Sequence, residues 1–311
     1  MKRCPITYEI ISDDENYSRR GLRLLSPRLK NLQLLDYSAA EQRAEALARA
    51  GKMSIQGVQT KLSAQLKIKE CCFELVDQYG HYILKPQSEY YSELPENEAV
   101  TMTLAAMIGI EVPVHGLIYC KDNTMTYFIK RFDRSGHNKK IAIEDFAQLL
   151  QLNRDTKYNS SMEKVIKVTT QFCSFPKIEA AKLFKFILFN FLVGNEDMHL
   201  KNFSLITRDQ KITLAPAYDL LNTTIALPRT KEEMALPLHG KKNNLTQRDF
   251  FNYLANEQLQ LNHNVVAEII DEITKALANW KTIIGHSFLS KPMQKQYVDL
   301  LEDRYRRLGL T

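Results

Sequence analysis

The chain has 311 residues, 44% of them hydrophobic and 25% charged, with a net charge of +6. That length suffices for one large domain or two with separate cores, and the composition is that of ordinary globular protein. It contains no run of about 18 uncharged apolar residues, and its first stretch, MKRCPITYEIISDDENYS, lacks an apolar leader core, so no membrane span is expected and the cytoplasm is the expected compartment. The mild basic excess permits an acidic ligand such as a nucleotide without demanding nucleic acid. Cys4, Cys71, Cys72, Cys120 and Cys173 form no CxxC pair and are expected as buried thiols, not as a disulfide framework or a zinc site.

The first clear element is SAAEQRAEALARAG, residues 38 to 51, a helix opened by a Ser38/Glu41 capping box and closed by Gly51. KMSIQGVQTKLSAQLKI follows as a strand-like run broken at Gly57. CFELVD and HYILKP flank QYG and predict a hairpin. PENEAVTMTLAAMIG, residues 95 to 109, predicts a second helix, and VHGLIYC and MTYFIKRF around KDNT predict a second hairpin. A mixed lobe over residues 1–133 is therefore expected, followed by a mostly helical lobe over 134–311. In the latter, IEDFAQLLQL and SMEKVIKVTTQFC read as helices, and KIEAAKLFKFILFNFLVG, apolar nearly all round, reads as a buried spine. FSLITRDQKITLAP predicts a hairpin turning at TRDQ, and NVVAEIIDEITKALANWKTII a long amphipathic helix. The fold class expected is α+β, strand-rich lobe first.

The chemistry concentrates just after the spine, in GNEDMHLKNFSL. Asp197 and Asn202 are five residues apart, the spacing of a kinase catalytic loop, in which the Asp sits at the base position and the Asn binds metal. Asp219 follows 17 residues later, and the intervening hairpin would return it to the same place as a second metal ligand. Lys85 ends a strand, as a phosphate-binding lysine does, and SIQGVQTK, residues 54 to 61, offers backbone N–H groups to cover phosphates. Each signal alone is ordinary: an Asp-x4-Asn pair often only solvates a loop, and a single Gly in a strand is usually a bulge. Their order along one chain is what points to phosphoryl transfer. A rival reading places a transition metal on Asp197, His199 and Asp219, but it leaves Lys85 and the covering loop without a role.

Taken together, SIQGVQTKLS, ILKP, PENEA, KRFDR, GNEDMHLKNFSL and LAPAYDLL resemble the HipA-like serine/threonine kinases, toxins of toxin–antitoxin modules, from about residue 50 onward. The short chain looks most like HipT, the kinase of three-gene HipBST modules. The resemblance implies a bilobal protein-kinase-like fold that uses ATP and Mg2+. It assigns Asp197 to catalysis, Asn202 and Asp219 to Mg2+, and Lys85 to the ATP phosphates, with Ser54, Gly57 and Gln59 in the covering loop. Phe132 and Asp133 fall at the hinge for adenine and ribose, His199 and Tyr218 where the family contacts nucleotide, and Ser54 at the autophosphorylated serine. The implied partners are a HipB-like helix-turn-helix antitoxin, a HipS-like small protein, and an aminoacyl-tRNA synthetase as substrate; DNA is met only through the antitoxin complex. The chain departs from the family at Lys130, Gln56 and Ile143, and Cys4 has no near partner, so no zinc is implied. Two alternatives stay open: a small-molecule or lipid kinase on the same fold, and a regulator that binds nucleotide or antitoxin without turnover.

Overall fold

The computed structural model describes residues 1–49, 59–136, 139–152, 156–227 and 232–310. The chain gathers into two compact units. The first is Met1–Val100, Pro113–Lys139 and Ile283–Ser290; the second is Thr101–Val112, Lys140–Thr282 and Lys291–Thr311.

The first unit is built on an antiparallel sheet of β1 (Leu62–Lys67), β2 (Cys72–Leu75), β3 (Tyr82–Lys85), β4 (His115–Tyr119) and β5 (Met125–Lys130), in the order β2-β1-β3-β5-β4. β4 and β5 form the expected hairpin. The expected β2–β3 hairpin does not exist, because β1 lies between them, with Ala64 opposite Leu75 on one side and Tyr82 on the other. The reason is a close passage in the connection. A Cβ on Gly80 would lie 1.9 Å from Ser63 Oγ, so the chain runs hard against β1 where only glycine fits. Leu62, Ala64, Phe73, Leu75, Leu84 and Phe128 form the core of this unit together with Cys4, Ile6, Leu29, Leu32 and Leu35. The N-terminal segment, in which the sequence showed no element, is thus part of the core and carries α1 (Arg19–Leu25), capped by Ser18 Oγ on the Gly21 N–H at 3.0 Å. The next helix, α2 (Ala39–Arg49), has the expected capping box: Glu41 N–H donates to Ser38 Oγ at 3.2 Å and Ser38 N–H to Glu41 Oε2 at 2.7 Å. The helix expected over 95–109 is α3 (Leu94–Met107). Cys4, Cys120 and Cys173 are buried, but Cys71 and Cys72, at the turn into edge strand β2, are only half-buried.

The second unit packs a three-stranded sheet, β6 (Ile143–Asp145), β7 (Ser204–Arg208) and β8 (Lys211–Leu214), with helices α4 (Phe146–Leu149), α5 (Met162–Phe172), α6 (Pro176–Val193), α7 (Thr223–Ala226) and α9 (Lys291–Arg307). α8 (His263–His286) is the long helix expected, and a π-helical segment, Arg248–Gln258, precedes it. IEDFAQLLQL is not one helix. Ile143–Asp145 pair with β7, and Asp145 then caps the short α4 by accepting from Gln148 N–H at 2.8 Å while Gln148 Oε1 accepts from Asp145 N–H at 2.9 Å. That reciprocal box starts the helix three residues later than the apolar pattern alone. The β7–β8 turn places Asp209 and Gln210 at φ 48 and 61, as a two-residue hairpin requires. α6 is the spine: Leu183, Phe184, Ile187, Leu188, Phe189, Phe191, Leu192 and Val193 are all buried. Trp280 of α8 stands edge-on to Phe189 and Tyr305, at 5.6 and 6.0 Å. Among the described residues no helix is long and apolar enough to cross a membrane.

Gly194 ends the spine at φ 74, and a Cβ there would meet Leu300 Cδ2 at 2.5 Å, Thr224 Oγ1 at 2.7 Å and Asn222 Oδ1 at 2.8 Å. Gly194→Ala is expected to lose at least about 2 kcal/mol, combining left-handed strain with overpacking. Urea unfolding measures it; an unchanged midpoint would contradict this account of the turn.

Candidate active site

Three of the expected residues, Asp197, His199 and Asn202, lie in the second unit on the loop that leaves α6, and Tyr218 and Asp219 follow β8 in the same unit. Asn195 N–H closes the helix by donating to Asn190 O at 2.9 Å, and the Asn195 and Asn190 side chains are joined at 2.8 Å. Glu196 turns inward. Its Oε1 accepts from Thr224 Oγ1 at 2.6 Å and faces Arg304 Nη2 at 3.4 Å, while Arg304 also donates to Phe191 O. Both side chains are nearly buried, and burial pulls the Arg304 guanidinium below its usual range against the pull of Glu196 and Glu233. One residue on from this anchor lies Asp197. A 3₁₀ turn, Leu200–Asn202, then folds Asn202 back so that its Nδ2 donates to Asp197 O at 2.8 Å. That contact uses the amide nitrogen and directs Oδ1 to be the atom a cation would take.

His199 is held by its Nε2, 2.7 Å from Lys157 Nζ. An ammonium can only donate, so Nε2 is the acceptor and Nδ1 carries the proton. Burial depresses the His199 pKa, Lys157 depresses it further, and Asp197 and Asp219 pull it upward. Nδ1 is buried without a hydrogen-bond partner among the described residues, a donor suited to an oxygen of a ligand. Asp219, half-buried, sits at φ 54, a conformation uncommon outside glycine. Tyr218 beside it donates its hydroxyl to Lys201 O at 2.8 Å and meets Ser204 Oγ at 2.5 Å, and burial holds the phenol well above its usual range. The transition-metal alternative fits poorly: Asp197, His199 and Asp219 form no metal-holding group, and His199 Nε2 faces an ammonium. Mg2+ needs no such cage, since two protein oxygens with waters and phosphates suffice, and the Asn202 amide and the Asp219 carboxylate carry oxygens of that kind. A cavity of about 720 Å³ in this unit has Asn202, Tyr218, Phe186, Lys185 and Glu272 in its wall, but not Asp197, His199 or Asp219.

The first unit holds the others. Lys85, at the end of β3, is 2% exposed and pairs with Glu98 of α3, 0% exposed, at 2.5 Å, and its Nζ lies 5.5 Å from the centre of the Tyr127 ring. Asp133 takes Arg131 in a two-pronged pair, Nε to Oδ1 at 3.0 Å and Nη2 to Oδ2 at 2.8 Å, with Arg134 on Oδ2 at 2.5 Å. Burial opposes its charge, but the two arginines hold the carboxyl below its usual range. Phe132 lies between these arginines in sequence and is half-buried. Gln59 Nε2 is buried with no partner among the described residues; Ser54 and Gly57 lie outside those residues.

Sequence reasoning passed over Glu98, although PENEA was noticed. The signal was a carboxylate on a helix too apolar to leave it in water, because a fully buried Glu must be paired. It also passed over Lys157 and Tyr158, which sit in a polar stretch with no periodicity. Glu96, two residues ahead of Glu98, is nearly buried, accepts from Gln87 Nε2 at 2.6 and 2.8 Å, and is pushed up by burial to about 7 from an ordinary 4.5. The native state therefore binds a proton that the unfolded chain has released between those values, so stability falls as pH rises from about 4.5 to 7. Glu96→Gln is expected to remove up to about 3 kcal/mol of that fall, seen as a urea midpoint that exceeds the wild type at pH 8 but not at pH 4. Parallel curves for the two proteins would contradict it.

A strand-based unit with a buried Lys–Glu pair, and a helical unit with an Asp-x4-Asn loop followed by an Asp, define a protein-kinase-like fold. The HipA-like C-terminal domain family matches residues 53–280, and the chain belongs to that family. A Haemophilus influenzae protein named putative kinase is 29% identical over 99% of this chain and 96% of its own length. The putative kinase Y4mE of Sinorhizobium fredii is 32% identical over 84% of this chain, which spans 64% of that relative. The serine/threonine-protein kinase toxin HipA of Shewanella oneidensis is 29% identical over 55% of this chain and 43% of its own length. Among solved structures, Shewanella oneidensis HipA, in a complex with HipB and operator DNA, superposes with a TM-score of 0.68 at 20% identity, covering 90% of this chain and 73% of that one. The Helicobacter pylori proinflammatory kinase CtkA gives 0.53 at 17% identity, covering 74% of this chain and 88% of that one.

Proposed function

We propose that the chain is a Mg·ATP-dependent protein serine/threonine kinase acting as the toxin of a bacterial toxin–antitoxin system. The observation that carries the kinase reading is the Lys85–Glu98 pair, at 2% and 0% exposure. Burying two charges costs more than their attraction commonly returns, so such a pair is poorly explained by stability alone. It is well explained if Glu98 fixes the lysine that binds the phosphates of ATP. Asn202 and Asp219 hold Mg2+, which when bound neutralises charge on the transferring phosphates. Asp197 orients the acceptor hydroxyl and takes its proton as the oxygen bonds to the γ-phosphorus and ADP departs. His199 contributes its Nδ1–H to a nucleotide oxygen, with Tyr218 beside it, while Phe132 and Asp133 hold the adenosine and residues 54–61 cover the phosphates.

The HipA relative and the HipA–HipB–DNA complex support the toxin role, and with it a helix-turn-helix antitoxin partner and operator DNA reached through that partner. A HipS-like small protein and an aminoacyl-tRNA synthetase substrate complete the reading by resemblance. Intact-mass and phosphopeptide mapping of the dephosphorylated protein after incubation with Mg·ATP tests the self-modification. One phosphate on Ser54, absent from Asp197→Asn, supports it. A protein that modifies other proteins but never gains phosphate itself removes Ser54 from the account.

A further inference from the structure

Asp197 already has a hydroxyl on it. Tyr158 Oη donates to Asp197 Oδ1 at 2.5 Å. The neighbouring Lys157 places its Nζ 2.7 Å from His199 Nε2, and Lys157 O accepts from Leu200 N–H at 3.4 Å. The Tyr158 ring stands edge-on to His199 at 5.1 Å, with Lys157 Nζ 4.8 Å above the tyrosine ring. Two consecutive side chains thus reach two functional residues of one loop. Tyr158 is nevertheless 41% exposed, so the ring is not locked in a core and can leave. Burial of the hydroxyl and the facing Asp197 carboxylate both push the phenol above its usual range, which keeps it a donor at every physiological pH. A serine or threonine acceptor would offer Asp197 the same group, an O–H with its proton turned to the carboxylate.

We propose that Tyr158 is an acceptor gate: its hydroxyl occupies, on Asp197, the hydrogen-bonding position that the substrate hydroxyl must take, and a protein substrate reacts only after displacing it. This rests on Asp197 being the group that orients the acceptor. Tyr158 is then a specificity-determining residue. Water and small alcohols, which bring no binding surface with which to displace the tyrosine, are poor acceptors, and a protein segment that can take over the contacts of Lys157 and Tyr158 is a good one. The gate limits wasteful hydrolysis of ATP when no substrate is present.

Tyr158→Phe tests this, since it keeps the ring on His199 and Lys157 and removes only the hydroxyl. The readout is ADP formed from Mg·ATP with no protein acceptor present, at varied ATP, for wild type, Tyr158→Phe and Asp197→Asn. A hydrogen bond to a charged group sets the expected scale: hydrolysis in Tyr158→Phe rises about ten- to hundredfold in kcat with the KM for ATP unchanged. A merely structural role predicts the reverse, a lower kcat or a shifted KM. Hydrolysis that is unchanged or slower in Tyr158→Phe overturns the gate. If Asp197→Asn forms ADP as fast as wild type, the reading of Asp197 itself has failed. If Asp197→Asn is slowed and Tyr158→Phe is no faster than wild type, only the gate has.

Discussion

Asp197→Asn is expected to lower the rate of phosphoryl transfer about 10²- to 10⁴-fold while leaving ATP affinity nearly unchanged. The side chain keeps its volume and one oxygen, so the surrounding contacts survive: the Asp197 carbonyl still accepts from Asn202, and the Asn195–Asn190 lock and the Glu196–Arg304 anchor are untouched. What is lost is the carboxylate proposed to take the acceptor's proton. Asp197 is exposed between the nearly buried Glu196 side chain and the buried Met198, so it is held in place without itself supporting the fold. Steady-state kinetics with titrated ATP, alongside thermal unfolding, separates the two effects. A variant that transfers phosphate at near wild-type rate removes Asp197 from the chemistry.

The largest expected effect on stability comes from Glu98→Ala. It leaves Lys85, 2% exposed, without the carboxylate that faces it at 2.5 Å. Breaking a buried pair on one side costs about 3–5 kcal/mol, and the variant is expected to lose phosphate binding as well. The double variant Lys85→Met/Glu98→Leu distinguishes the two roles. Replacing both charges by apolar groups is often close to neutral for stability, so the double variant is expected to unfold near the wild-type urea midpoint and still transfer no phosphate. A double variant that retains activity would assign the pair to structure only.

Much of the second unit was legible because its signals are local. The spine α6 shows in an apolar run that ends in Gly194, the β7–β8 hairpin in its turn residues, and the proposed catalytic loop in the Asp197–Asn202 spacing. The first unit was less so. CFELVD and HYILKP are neighbours along the chain, and nothing in them says that β1 inserts between the strands; that is settled by a non-local contact, Gly80 against Ser63. The N-terminal segment contributes Cys4, Ile6 and Leu29 to the core through irregular backbone, which has no period to detect. IEDF reads as helix from its pattern but is not, because Ile143–Asp145 owe their extended form to pairing with the distant β7, as in Ile143 opposite Ile206. At the site the same division holds. Residues proposed to act through spacing, Asp197, Asn202 and Asp219, stand out in the sequence, and so does a lysine at a strand end. Glu98, Glu196 with Arg304, and Tyr158 act through partners far along the chain, at 13, 108 and 39 residues' separation, and only the folded structure pairs them.

The most direct measurement is transfer of label from [γ-³²P]ATP, with Mg2+, to the purified protein and to the proteins of a bacterial lysate, wild type against Asp197→Asn. The account predicts label on serine or threonine with the wild type and almost none with the variant. No labelled protein with either, although the wild type binds ATP, would contradict it.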